Sequence, residues 1–284
     1  MNSKKTWFIT GASKGLGLAF VKELLQQGHQ VAATSRKLDD LVAAVGKDVA
    51  GFFPLAVDLK TESSVRNAIA ATIHHFGRID VVVNNAGYGL VGSLEELTDQ
   101  ESRDNFTVNV FGTLNVIRNV MPYLREQRSG HIFNISSIGG FNGNFPGFGI
   151  YCATKFAVEG LSESLAAEAK EFGINVTIVS PGYFRTNFLE SDSLRVPASE
   201  IAAYKTVREI QQRHQHDINR NQAGDPQKAA AVVMRVAEEK NPPLHLFLGA
   251  DAYELAQVKI AAVEKDMESW ESVATATAFE AAAV

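Results

Sequence analysis

Tyr151 and Lys155 stand four residues apart in the segment YCATK. On a helix that spacing places both side chains on one face, one turn apart. A phenol with its ordinary pKa of about 10 is a poor proton donor or acceptor at neutral pH. An ammonium one turn away favours the phenolate and draws that pKa toward the working range. The pair therefore points to acid–base chemistry at a substrate oxygen. The same spacing also arises in ordinary exposed helical pairs, so the surrounding elements must decide between the two readings.

A second group of residues could hold phosphates. Thr10-Gly11-Ala12-Ser13-Lys14-Gly15-Leu16-Gly17 follows an apolar run and opens a helical pattern. Glycines at such a junction permit a tight turn, close approach of backbone to pyrophosphate, and close packing of helix on strand. The helix N-terminus adds free N–H groups and the positive end of its dipole. At the end of the next apolar run stand Thr34, Ser35 and Arg36. Serine occupies the position where a carboxylate would accept a bond from a bare ribose, and arginine suits a 2′-phosphate. With Lys14 as a second positive charge, the pattern favours NADP(H) over NAD(H). The alternative is that Arg36 and Lys14 are ordinary surface charges.

The elements that must position these residues alternate regularly. Apolar runs at 6–10, 30–35, 51–57, 79–84, 131–136 and 175–180 read as strands. Helical patterns lie between them at 16–27, 39–46, 62–76, 99–125 and 151–172. The fourth run, IDVVVN, is continuously apolar, as in strands buried on both faces. Alternation of this kind implies right-handed βαβ units and an α/β, Rossmann-type doubly wound parallel sheet of about seven strands flanked by helices. Residues 187–222 are polar and helical without a clear strand and read as a substrate-capping flap. A helix at 226–240, a strand at 244–248 and a helix at 251–270 complete one domain over 1–284, with 275–284 as a flexible tail.

Bulk properties narrow the classes. The 284 residues carry a formal charge of −5 with a pI of about 5.8, so no broad basic field attracts nucleic acid or an anionic membrane. Cys152 is the single cysteine, so no intramolecular disulfide can form, in keeping with a reducing compartment. No apolar stretch reaches the ~18 residues of a membrane span, and the N-terminus lacks a signal-peptide core. The expectation is a cytoplasmic protein. The histidines show no ligand spacing beyond His214-x-His216, which reads as part of the solvated flap, so no metal is expected.

Taken in order, these motifs resemble the short-chain dehydrogenase/reductase family over about residues 5–248, nearest the hydroxysteroid- and retinol-dehydrogenase-like reductases. The spacing T-G-x-x-x-G-x-G is the family's variant of the glycine loop. The resemblance implies that Asp58, followed by Leu59, meets the adenine, and that Asn84-Asn85-Ala86-Gly87 ties the central sheet and lets the nucleotide approach. It assigns Pro181, Gly182 and Thr186 of P-G-x-x-x-T to the nicotinamide carboxamide. It makes Asn109, Ser137, Tyr151 and Lys155 the catalytic set. Ser137 would polarise the substrate oxygen, Tyr151 would move the proton, and Lys155 would grip the nicotinamide ribose. Asn109 would open its helix and hold a water that refills the lysine. Ser137 lies 14 residues before Tyr151 where the family has 13, with the extra residue in 142–145, so Ser136 stays open as an alternative.

The implied reaction is hydride transfer between NADP(H) and a carbonyl or alcohol. Walls from 139–150, 184–194 and 203–213 supply Phe141, Phe145, Phe148, Tyr183 and Phe188, which suit a hydrophobic ketone or aldehyde. The same phenylalanines could instead simply pack the flap. An NADP(H)-binding redox sensor with little turnover is the second reading, disfavoured because the whole catalytic set is kept. Self-association as a homodimer or homotetramer is expected through the long helices, with Phe156, Ala157, Gly160, Leu161 and Ser164 allowing close approach.

Overall fold

The computed structural model describes residues 4–190 and 193–279; Ser191, Asp192 and the outermost residues, including 280–284 of the expected tail, lie outside the described residues. The first half runs β1 (Thr6–Ile9), α1 (Gly15–Gln26), β2 (Gln30–Ser35), α2 (Leu38–Val45), β3 (Phe52–Ala56), α3 (Glu62–Phe76) and β4 (Val81–Asn84). Next come β5 (Gly89–Leu90), α4 (Asp99–Phe106), α5 (Gly112–Gln127), β6 (Gly130–Ile135), α6 (Gly149–Ala169) and β7 (Ile174–Pro181). The chain ends with β8 (Leu194–Arg195), α7 (Lys205–Gln212), α8 (Pro226–Val236), β9 (His245–Leu248) and α9 (Ala250–Ala274).

Seven strands form one parallel sheet in the order β3-β2-β1-β4-β6-β7-β9. The order reverses between β1 and β4, which opens a crevice at the C-terminal strand ends where ligands of such sheets bind. Successive side chains of a strand point to opposite faces, and β1 shows the result. Trp7 and Ile9 pack with Phe20, Leu24 and Val233 under α1 and α8. Phe8 packs on the other face with Val116, Val120 and Leu165 under α5 and α6. Both layers close over the sheet, so its central strands must be apolar throughout.

The helix expected at 99–125 is opened by a π-helical turn, Thr107–Phe111, which carries Asn109, as the resemblance implies. One feature departs from the sequence reading: residues 187–222, read as lacking a strand, contain one. β8 pairs in parallel with β5, where Gly89 N–H donates to the Ser193 carbonyl at 2.7 Å. Two residues are too short for an alternating pattern, so no periodicity announced it.

A chain of side-chain bonds fixes α6, the helix carrying Tyr151 and Lys155, on the sheet. Asn84 on β4 donates to Asn134 on β6 at 2.8 Å, and Asn134 donates to the Ser162 hydroxyl on α6 at 2.7 Å.

Candidate active site

A cavity of about 1150 Å³ opens at the crevice and runs from the glycine loop to Phe188, Leu189, His214 and Gln222. At its nucleotide end Gly11 has φ +64, and a Cβ there would lie 2.8 Å from the Ala86 backbone. Gly15 also has positive φ, and Thr186 covers it from the loop after β7. A Cβ on Gly17 would collide with the Gly11 carbonyl and the Asn85 amide, which itself donates to the Thr10 and Gly11 carbonyls. The glycines thus leave a cradle that side chains would fill, at the N-terminus of a twelve-residue helix. Ser13, Lys14, Leu16, Ser35, Arg36, Asp58, Leu59, Ala86 and Gly87 line the same space. Ser35 Oγ sits 3.3 Å from Ser13 Oγ, and the Asp58 carboxylate accepts the Lys60 N–H at 3.0 Å. Pro181 and Gly182 reach the cavity from the end of β7, held by the bond from Gly182 N–H to the Leu248 carbonyl. A dinucleotide fits this arrangement.

At the other end the structure brings Ser137, Tyr151 and Lys155 together. The Ser137 hydroxyl accepts the Gly139 N–H at 3.1 Å and lies with the Tyr151 ring beside Gly139, where it favours the phenolate. Ser136 is turned away: its hydroxyl donates to Glu159 Oε1 at 2.9 Å, beneath the helix. Of the two serines, Ser137 is the one at the phenol. The longer loop is anchored by Asn142, which donates to the Leu255 carbonyl of α9 at 3.0 Å.

Lys155 is buried and donates to the Ile135 carbonyl at 2.8 Å, with its Nζ 5.9 Å from the Tyr151 ring centre. Burial pushes its pKa down to about 8, against the opposing pull of Glu159. Burial raises the Tyr151 phenol above its ordinary value, and the nearby Ser137 hydroxyl only partly offsets this. The expected lowering by the ammonium is therefore corrected. The nitrogen is aimed at a carbonyl and a desolvated phenolate is costly.

Asn109 is buried, and its side chain is fully engaged. It accepts the Tyr88 N–H at 3.0 Å and donates to the Tyr88 carbonyl and the Thr154 hydroxyl, each at 3.0 Å. It pins the residue after Asn-Asn-Ala-Gly to the π-turn.

A short chain dehydrogenase family model matches residues 5–196. The chain belongs to that family. An oxidoreductase of Botryotinia fuckeliana, BOA17, is 38% identical over 277 residues, covering 96% of this chain and 99% of the relative. A 3-ketodihydrosphingosine reductase of Bacteroides thetaiotaomicron is 37% identical, covering 85% and 86%. Among solved structures, a short-chain dehydrogenase of Streptomyces avermitilis superposes with a TM-score of 0.89 at 37% identity, covering 98% and 100%. A Burkholderia cenocepacia short-chain dehydrogenase in complex with NADP has a TM-score of 0.71 at 25% identity, covering 94% and 97%. This short-chain dehydrogenase is thus an oxidoreductase with a site for a nicotinamide cofactor.

The substrate end of this short-chain dehydrogenase corrects three expectations. Phe145, Phe148, Tyr183 and Phe188 line the cavity, but Phe141 packs on Phe247 at 5.1 Å in the core under α9. Its position after the 3₁₀ turn at Ile138–Gly140 turns it away from the cavity. Residues 203–213 supply no wall; Val207 of α7 packs under Gly147 instead. His214, read as solvated, is buried against Phe148 and bonded to Tyr183, whereas His216 is exposed. Sequence reasoning also missed Arg195, whose guanidinium lies 4.6 Å from the Tyr88 ring centre, and Gln222. His214 lies in a π-helical turn, Arg213–Ile218, whose polar composition does not announce that one of its residues is buried.

Among the described residues no group of three His, Cys, Asp or Glu could hold a metal ion, and no helix is long and apolar enough to cross a membrane.

Proposed function

We propose that this protein is an NADP(H)-dependent carbonyl reductase or alcohol dehydrogenase acting on a hydrophobic ketone or aldehyde. The observation that carries this reading is the meeting of Ser137, Tyr151 and Lys155 in the same cavity as the glycine loop and Arg36. When bound, NADP(H) donates or accepts the hydride. Ser137 and Tyr151 hydrogen-bond the substrate oxygen where negative charge develops. Tyr151, kept protonated by burial, holds the proton that this oxygen receives in reduction. Lys155, buried with a low pKa, can release a proton more readily than a solvated lysine. Asn109, whose side chain is engaged by Tyr88 and Thr154 and whose carbonyl accepts from Thr113, takes a positioning role at the opened turn and not that of a relay.

NADP(H) rather than NAD(H) rests on exposed Arg36 beside Ser35, with Lys14 in the same lining. Lys37 adds a positive charge and Asp40 a negative one there. The apolar wall of Phe145, Phe148, Phe188 and Leu189, backed by Val91 and Leu194 in the packing behind it, supports the hydrophobic substrate. The Bacteroides relative, named as a reductase of a keto compound, agrees with it. We assign residues 187–222 as the flap over this wall. Exposed Phe156, Gly160 and Ser164 on α6, and Phe111 at 54% exposure, support a homodimer or homotetramer, which light scattering showing only monomer would refute. The buried, unpaired Cys152, its thiol pushed up to about 11 by burial, suits the reducing cytoplasm.

The test is loss of absorbance at 340 nm with NADPH or NADH across a carbonyl panel, beside Tyr151→Phe. Turnover with NADPH that disappears in the variant is the expected result. NADPH binding without turnover of any carbonyl would move the assignment to the sensor reading.

A further inference from the structure

The cavity carries hydrogen-bonding groups that none of these steps uses. The Tyr183 hydroxyl lies 2.9 Å from His214 Nε2, and His214 Nδ1 lies 2.8 Å from the Ile210 carbonyl. A carbonyl only accepts, so Nδ1 carries the imidazole proton. Burial holds His214 below its ordinary pKa, with Arg213 adding to this and the Ile210 bond opposing it. The ring is therefore neutral at pH 7, Nε2 is bare, and Tyr183 must donate to it. Burial also keeps the Tyr183 phenol protonated. With its only proton committed to His214, the Tyr183 oxygen has just lone pairs left to offer a ligand.

Gln222 lines the same cavity, is 4% exposed, and its Oε1 is buried without a hydrogen-bond partner. A buried acceptor left unpaired costs ~1–3 kcal/mol, which a ligand donor would recover. Its backbone is tied to the loop that carries Tyr183. The Gln222 carbonyl accepts from Arg185 Nε at 3.1 Å, and Gly224 N–H donates to the Tyr183 carbonyl at 3.0 Å. Two acceptors are thus set in a cavity whose other wall is phenylalanine.

We propose that Tyr183 and Gln222 form a second recognition point, accepting hydrogen bonds from a hydroxyl or N–H group that the substrate carries apart from its reacting carbonyl. The proposal rests on the carbonyl-reductase reading for its substrate and narrows that class to hydroxy- or amino-substituted ketones and aldehydes. His214 is a positioning residue: it fixes the direction of the Tyr183 proton.

The test uses phenyl ketones bearing para-hydroxyl, para-methoxy or para-methyl groups, with chains of different length between ring and carbonyl. A hydroxyl donates, a methoxy group only accepts, and a methyl does neither. For the chain length that fits best, kcat/KM with NADPH should favour hydroxyl over methyl and methoxy by about tenfold. Within each of Tyr183→Phe and Gln222→Leu the ratio should fall several-fold toward one. In His214→Phe the freed Tyr183 proton should shift preference toward methoxy, which a merely structural role would not do. Because each ratio is internal to one protein, partial loss of folded enzyme leaves it unchanged. Equal rates for the three substituents, or ratios that persist in both Tyr183 and Gln222 variants, overturn the proposal. If no ketone is turned over, the reductase reading fails by itself. Calorimetric affinities of the same compounds then decide the recognition point, and equal affinities refute it.

Discussion

Lys155 donates through Nζ to the Ile135 carbonyl at 2.8 Å, which ties the helix carrying Tyr151 to the end of the central strand β6. One turn further along, buried Glu159 accepts from Ser136 and Ser180, each at 2.9 Å. Burial raises the Glu159 pKa, against those two bonds. The ammonium is thus positioned by backbone and desolvated, and its charged form costs free energy in the folded protein.

That cost has a pH signature. The folded pKa of Lys155, about 8, lies below its ordinary 10.5, so between these values the unfolded chain binds more protons. Stability then rises with pH across this window and is lower below it, by on the order of 3 kcal/mol. Lys155→Met should lack this rise. Urea unfolding of both proteins from pH 7.5 to 10.5 reads it as a converging difference, and parallel curves would contradict it. The same variant should lose ~10²–10⁴-fold in kcat.

Coenzyme choice should turn on Arg36. Arg36→Asp removes the guanidinium and offers a carboxylate to a bare ribose, so the NADPH/NADH ratio of kcat/KM should fall at least tenfold. A charged hydrogen bond is worth about 1.5–3 kcal/mol. An unchanged ratio would place selectivity elsewhere in the lining.

Asn84 should matter for stability more than its place in a strand-end motif suggests. Asn84→Ala leaves the buried Asn134 carbonyl oxygen without the donor now 2.8 Å away. A loss of about 1–3 kcal/mol in urea unfolding is expected. Activity should fall with it, since Asn134 also holds Ser162 on the Tyr151 helix.

His131 should remain neutral well into acid. Burial, with Lys5 nearby, lowers its pKa to about 3. Thr177 spends its proton on the Pro243 carbonyl at 2.7 Å, so it accepts from His131 Nε2–H at 2.9 Å. The unfolded chain takes up this proton near pH 6.5, so the contribution is present above that value and is lost progressively as pH falls toward 3. NMR titration should show the neutral Nε2–H tautomer at pH 5. A midpoint near 6.5 would exclude it.

The seven-strand sheet was legible because strands buried on both faces, such as Val81–Asn84, must be continuously apolar, and helices between them repeat at 3.6. The glycine loop, the Asn-Asn-Ala-Gly turn and the Tyr151–Lys155 pair were legible for a related reason. Each is a local backbone or one-turn requirement that a few neighbouring residues satisfy. Phe141 and His214 were misread because loop position and polar composition say nothing of which way a short irregular turn directs a side chain. A 3₁₀ turn rotates one into the core and a π-turn rotates the other into the cavity.

Local chemistry therefore settled the fold class and the family, and marked the glycine loop and strand-end residues that line the cavity, since those follow from periodicity and short spacings. Long-range packing settled which of two adjacent serines faces the phenol, where the Lys155 nitrogen points, and how His214 orients Tyr183. Those outcomes depend on desolvation and on partners 19 to 31 residues or more away, such as Ser136 with Lys155 and Tyr183 with His214. Such energies arise only once the chain has closed around them, because burial rather than sequence neighbourhood sets the value of a buried hydrogen bond or charge.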